Sequence, residues 1–250
     1  MGAKPGAVSL LTDSRLPPPT DVNAVRPWSR LRSTQGLCSG PLCDCHLPRV
    51  SPDRSIEFFE RQFERQVREH DFALNPFERA ALPYLRRRVL DFGCGMGNLA
   101  LAAARAGCSV VALDASAVAI AHLREVAARE GLALEARQAD LRDDPIRDEF
   151  DAIVSIGLLM FFDCATARRV LADIQAHVRS GGVAVVNLLV EGTTYLDMFD
   201  PDHHCLIARG ELARSFAGWD LLASESADYP APGGRVKSFQ TVIARRPAVG

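Results

Sequence analysis

The sequence predicts an α/β fold, a Rossmann-like, doubly wound, mostly parallel sheet of seven strands in which a final hairpin contributes one antiparallel strand. Three observations predict it. From Val89 onward, short β-branched runs alternate with segments of helical period, the pattern of a parallel sheet covered by helices on both faces. The first of those runs passes directly into a glycine-rich turn, VLDFGCGMGN, Val89 to Asn98. The last two strand signals follow one another with no helix between them, which in a parallel sheet means a hairpin.

Taken in order, SPDRSIEFFERQFERQVREH opens the ordered part: Asp53 is a candidate cap, and Ile56, Phe59, Phe63 and Val67 recur at helical spacing to make one apolar stripe that needs a partner surface. A second helix starts after Pro76 and is bent or ended near Pro83. RVLDF is a short buried strand, NLALAAARAG a small-residue helix stopped by Gly107, and SVVALD a second strand. Ser116 caps AVAIAHLREVAAREG, which Gly131 stops. LEARQAD is a polar-edged strand ending at Asp140, FDAIVSIGLL a buried one, ATARRVLADIQAHVR an amphipathic helix, GGVAVVNLLV a strand and RGELARSFAG a helix. WDLLASESAD and VKSFQTVIARR close the chain as strands.

Composition narrows the class. With 250 residues, 48% of them hydrophobic and 24% charged, the chain can bury a real core. A formal net charge of −2 gives no general attraction to polyanions, so neither nucleic acid nor an anionic membrane is an expected partner. Arginine carries nearly all the basic charge; Lys4 and Lys237 are the only lysines, a bias to which this reading gives no functional weight. No apolar run is long enough to span a bilayer, and no continuous apolar h-region follows Lys4, so the expected location is cytoplasmic. Seven cysteines, an odd number, point to free thiols in a reducing compartment.

Residues 1–50 lack apolar periodicity and carry Pro17, Pro18 and Pro19; they are expected to be a disordered tail before a single domain over 51–250. Within the tail, CSGPLCDCH offers Cys38, Cys43, Cys45 and His46. It lacks the paired C-x-x-C hooks of a closed zinc site, so no metal is expected.

In an open α/β sheet, ligands sit beyond the carboxyl ends of the strands near the switch point, where Gly93, Gly95 and Gly97 fall. Asp91 precedes them and Asp114 ends the next strand. A carboxylate there can accept hydrogen bonds from both hydroxyls of a ribose, which implies adenosine. A pyrophosphate binder would need its last glycine at position 98, and that residue is Asn98. The observed D-x-G-x-G-x-G instead resembles the loop of class I S-adenosylmethionine-dependent methyltransferases, and the resemblance extends over about residues 56–246. It implies S-adenosylmethionine as cofactor, with Asp91 anchoring the methionine amino end, Gly93, Cys94, Gly95, Gly97 and Asn98 against the cofactor, Asp114 and Ala115 at the ribose, and Asp140 with Leu141 at the adenine. Within that class, FDAIVSIGLLMFFD, GELARSFAGW and GRVKSFQTVIAR resemble the bacterial tellurite-resistance (TehB-type) methyltransferases.

For the acceptor side, a soft nucleophile chiefly needs to be brought to the methyl donor with water excluded. A thiol or a chalcogen anion of the tellurite or selenite kind is therefore the favoured small-molecule substrate. The alternative is an oxygen or nitrogen acceptor, which needs a general base; His203 and His204, in the long connection after the fifth strand, are the candidates. The family resemblance matches Arg214 and Arg235 to arginines suited to an oxyanion, and Met160 and Tyr195 are expected as pocket walls.

Overall fold

The computed structural model describes residues 54–70, 72–201 and 203–248; the expected tail with Cys38, Cys43, Cys45 and His46, and the Asp53 cap, lie outside them. Six helices and seven strands follow in the predicted order: α1 (Arg54–Glu69), α2 (Pro76–Ala81), β1 (Arg88–Phe92), α3 (Asn98–Arg105), β2 (Ser109–Asp114), α4 (Ala117–Glu130), β3 (Leu134–Gln138), β4 (Phe150–Ile156), α5 (Cys164–His177), β5 (Val178–Leu189), α6 (Glu211–Ser215), β6 (Asp220–Ala231) and β7 (Arg235–Arg245).

The strands form one sheet in the order β3-β2-β1-β4-β5-β7-β6. All neighbours from β3 to β5 are parallel, and β7 runs antiparallel to both β5 and β6. The order reverses at β1, flanked by β2 on one side and β4 on the other, so the crevice above β1 is where a ligand belongs. Strand alternation divides the core between two faces. Leu90 and Phe92 join Ile174 of α5, Leu212 of α6 and Phe216 just after α6 on one face; Val89, with Leu99, Ile120 and Leu123 from α3 and α4, builds the other. Each such side chain, fully buried, stabilises the fold by about 1.5–3 kcal/mol.

Caps explain several boundaries. Asn75 accepts from the backbone N–H groups of Phe77 and Glu78 while the Glu78 carboxylate accepts from Asn75 N–H at 2.7 Å, a capping box ahead of Pro76. Pro83 then turns the chain into a single 3-10 turn, Leu82–Tyr84. Ser116 and Gly131 bound α4 as predicted, and Asp163 caps α5. Three elements depart from expectation. The helix expected over residues 209–218 spans only five residues, β5 begins at Val178 directly from α5, and β6 extends to Ala231. Pro230 is tolerated in β6 because that strand is the sheet edge.

The expectation of free thiols is overturned at two positions: Cys164 and Cys205, 41 residues apart, form a disulfide with 4.8 Å between Cα atoms. It ties the start of α5 to the connection between β5 and α6, where Cys205 N–H also donates to Met160 O at 3.0 Å. Cys94 and Cys108 are buried thiols. Among the described residues no helix is long and apolar enough to cross a membrane.

Candidate active site

A cavity of about 510 Å³ opens over the carboxyl ends of β1, β2 and β4. Its floor is the glycine turn. Gly93 and Cys94 N–H both donate to Leu113 O, at 2.9 and 3.0 Å, fastening the turn to β2. Gly93 has φ of 86°, and a Cβ there would stand 2.9 Å from the Leu158 side chain; Gly97, at φ of 74°, would meet Leu123 at 2.6 Å. No side chain fits either place, so the turn presents bare backbone to the cavity. The roof is α1, whose Phe59 and Phe63 line the cavity and whose Phe63 ring lies 3.3 Å from the Cβ position of Gly95. The predicted stripe thus finds its partner surface, although Val67 at its end stays exposed.

The Asp114 carboxylate accepts from Gly95 N–H at 2.8 Å and from Ser116 N–H at 2.9 Å. Each oxygen retains a further lone pair for a ribose hydroxyl. Burial raises its pKa, opposed by those two N–H bonds. Asp91 is buried more completely, and its Oδ2 has no hydrogen-bond partner. Burial first, then the neighbouring Glu78 and Asp114 carboxylates, push the Asp91 pKa up to about 8. Because this carboxyl binds a proton more tightly in the fold than in the unfolded chain, its contribution to stability is fully present below the ordinary carboxylate range and is lost as pH rises through about 8. Asp140 is engaged by the Arg142 guanidinium at 2.9 and 2.8 Å, which lowers its pKa. Both line the cavity beside buried Leu141.

All ten residues expected at the cofactor, Asp91, Gly93, Cys94, Gly95, Gly97, Asn98, Asp114, Ala115, Asp140 and Leu141, line this one cavity, and so does Met160. Burial, then the nearby Asp91 and Asp114, raise the Cys94 thiol pKa well above the usual range. His203, His204, Arg214, Tyr195 and Arg235 are not among the lining residues. His203 is exposed. The His204 ring stacks on Phe199 at 5.0 Å, and Phe199 packs on Phe161 of the cavity wall, so this imidazole lies behind the wall. Arg214 is exposed on α6. Arg235 is held by both oxygens of Asp197 at 2.6 and 2.8 Å and stacks on Tyr195 at 4.6 Å.

Several lining residues were not predicted. Glu78 comes from the capping box, whose N-x-x-E spacing was a readable signal. Asn187 and Phe239 are brought together by the β5–β7 pairing, and Lys237 follows two residues before Phe239 on the same face of β7. A pairing between strands so distant in sequence leaves no local signal.

A family model described as a methyltransferase domain matches residues 89–182. Over 170 residues the chain is 32% identical to Hemagglutinin 1 of Eikenella corrodens, covering 64% of this chain and 55% of that protein. It is 28% identical over 166 residues to a probable S-adenosyl-L-methionine-dependent methyltransferase TehB of Haemophilus influenzae strain 10810, covering 64% and 57%. The chain thus spans just over half the length of these relatives. In fold it is similar to the crystal structure of TehB from Haemophilus influenzae, with a TM-score of 0.62 and 21% identity over 77% of this chain and 67% of that one. It is also similar in fold to the 1,6-didemethyltoxoflavin-N1-methyltransferase of Burkholderia thailandensis with bound S-adenosylhomocysteine, with a TM-score of 0.58 and 19% identity over 78% and 87%.

Proposed function

We propose that the chain, whose residues 89–182 match a methyltransferase domain, is a class I S-adenosylmethionine-dependent methyltransferase and that it methylates a small molecule at a soft anionic atom, a thiolate or a chalcogen anion. The observation that carries this reading is the cavity's chemistry: the end assigned to the acceptor is walled by Phe77, Phe239, Leu189 and Met198, and among the described residues that line the cavity there is no imidazole. An acceptor that ionises by itself needs no base there, only placement and dryness.

The cradle suits the cofactor. Bare backbone at Gly93 and Gly97 accommodates its close approach, Asp114 offers free lone pairs to a ribose, and unpartnered Asp91 Oδ2 offers an acceptor to a cationic amino end. S-adenosylmethionine supplies, when bound, a methyl group activated on a sulfonium. The chain's part is to hold that group and the acceptor in line under α1 and to keep water out.

A positively charged ligand next to Asp91 reverses the balance that keeps this carboxyl protonated. Binding at neutral pH is therefore expected to expel a proton, and affinity to rise with pH up to about 8, the pKa of Asp91. Calorimetry in buffers of different ionisation enthalpy measures the proton directly. Asp91→Asn should abolish its release; release unchanged in that variant assigns the proton elsewhere.

Radiolabelled S-adenosylmethionine, offered with thiols, selenite, tellurite, phenols and amines, tests the acceptor class. Transfer to thiols or chalcogen anions is expected, with a rate that follows ionisation of the acceptor, and His203→Ala and His204→Ala should keep most of kcat. Loss of most of kcat in either variant, together with an enzyme group titrating in the imidazole range, would establish a general base and the oxygen or nitrogen acceptor instead.

A further inference from the structure

The acceptor end of the cavity contains two polar groups with unmet demands. Asn187 is fully buried on β5; its Nδ2 donates to Thr241 Oγ1 at 2.8 Å, while its Oδ1 has no partner. A buried amide oxygen left bare is destabilising, so such a group in a cavity wall points to a ligand that donates to it. Lys237 is the second. Its ammonium lies 4.7 Å from the centre of the Tyr195 ring, and among the described residues no carboxylate pairs with it. Burial lowers its pKa, with no anion opposing the shift. Arg235 next to it is the contrasting case, its charge fully met by Asp197.

The register fixes how these groups are spaced. Asn187 is opposite Thr241 and Leu189 opposite Phe239. Lys237 is thus four residues along β7 from the Asn187 pair, roughly 13 Å at strand rise, a gap the flexible lysine stem can shorten. Between them lies an apolar, aromatic surface: Phe239 packs on Phe77 at 4.9 Å and on Tyr229 at 5.8 Å. A bare oxyanion cannot reach both polar ends, and it gains nothing from the rings between.

Resting on the reading of the site given above, we propose that the acceptor is an elongated organic thiol with an acid group remote from its sulfur. Lys237 binds the acid, Phe239 and Phe77 hold the apolar body, and Asn187 Oδ1 accepts from the S–H of the neutral thiol at the inner end, a proton the thiol gives up before it attacks. Lys237 and Asn187 are then specificity-determining residues for the methyl acceptor.

The test is calorimetric titration of the enzyme saturated with S-adenosylhomocysteine, which has no methyl to give, using 4-mercaptobenzoate, 4-methylbenzenethiol and selenite as probes. The acid thiol is expected to bind about tenfold or more tightly than its neutral counterpart, the effect of one charge-assisted contact, and selenite more weakly than both. Lys237→Met should remove the preference while leaving Tm and S-adenosylhomocysteine affinity unchanged. The pair Asn187→Leu and Thr241→Val makes both ends of that hydrogen bond apolar, so the fold should not lose Tm while both thiols, titrated at a pH where the carboxylate is ionised and the thiol is not, bind several-fold more weakly. Equal binding of the two thiols, a preference that survives Lys237→Met, or no thiol binding to the loaded enzyme overturns the proposal. Failure of S-adenosylhomocysteine itself to bind would strike the cofactor reading instead, and the loading step separates the two.

Discussion

Asp114→Ala is expected to weaken S-adenosylhomocysteine binding by about 1–3 kcal/mol, roughly 5- to 150-fold, while NADH fails to compete for the same site in the parent protein. The carboxylate does two jobs with one set of atoms. It accepts from Gly95 N–H and Ser116 N–H, which holds the glycine turn against the start of α4, and in the proposed reading its remaining lone pairs take the ligand's ribose. Removing it therefore strands two backbone donors and the two hydroxyls together. Asp114→Asn retains one acceptor oxygen and should lose less. Calorimetry on the three proteins gives the comparison, with Tm recorded alongside to separate a loosened turn from a lost ligand contact. Equal affinity in the alanine variant, or saturable NADH binding that S-adenosylhomocysteine displaces, would remove the basis for adenosine recognition at this position.

The fold was legible because its signals are local. Ser116 and Gly131 bound α4, Gly107 follows α3, and the β-branched runs RVLDF and SVVALD are β1 and β2; each depends on residues a few positions apart. Errors arose where tertiary pairing overrides the local pattern. β5 extends back to Val178 through Gly181, at φ of 74°, because pairing with β4 carries it past an irregularity between Phe150 and Ala152. α6 is short, with Gly210 at φ of 81° before it and Phe216 buried after it.

The site divides along the same line. Its cofactor half sits on one βαβ unit and a strand end, so Asp91 to Asn98 and Asp114 could be read as a motif. The half proposed for the acceptor is assembled from α1, α2, β5 and β7, and no spacing in the chain announces that Asn187 will face the same space as Lys237. Histidines in a long loop attracted a catalytic reading because loop histidines often are catalytic; packing instead puts His204 behind Phe199. Arginines attracted an oxyanion reading, yet Arg235 is satisfied within the fold. Lys237, which lines the cavity as Arg142 does, is one of only two lysines, the residue type that composition alone had set aside.

Cutting the Cys164–Cys205 bond is the change expected to cost the most stability. The two residues are 41 apart in sequence, and closing a loop of that size removes enough freedom from the unfolded chain to stabilise the fold by about 4 kcal/mol, within a typical range of about 2–4. For a domain of this size that corresponds to a fall in Tm of about 5–15 °C, measured by thermal unfolding of Cys164→Ala/Cys205→Ala against the parent. Reductant should lower the parent's Tm toward the variant's and leave the variant unmoved; a parent indifferent to reductant would mean that the bond contributes nothing under those conditions. The position of the bond adds a functional consequence. Cys205 N–H bonds Met160 O, and Met160, Phe161 and Phe162 form the cavity wall between β4 and α5, so the disulfide fastens the connection after β5 to that wall. Local opening there should loosen the acceptor end, which is lined by Met160 and Met198, more than the glycine turn, which is held by its own bonds to Leu113 and Asp114. The double variant should therefore bind 4-mercaptobenzoate more weakly at temperatures where S-adenosylhomocysteine affinity is still that of the parent.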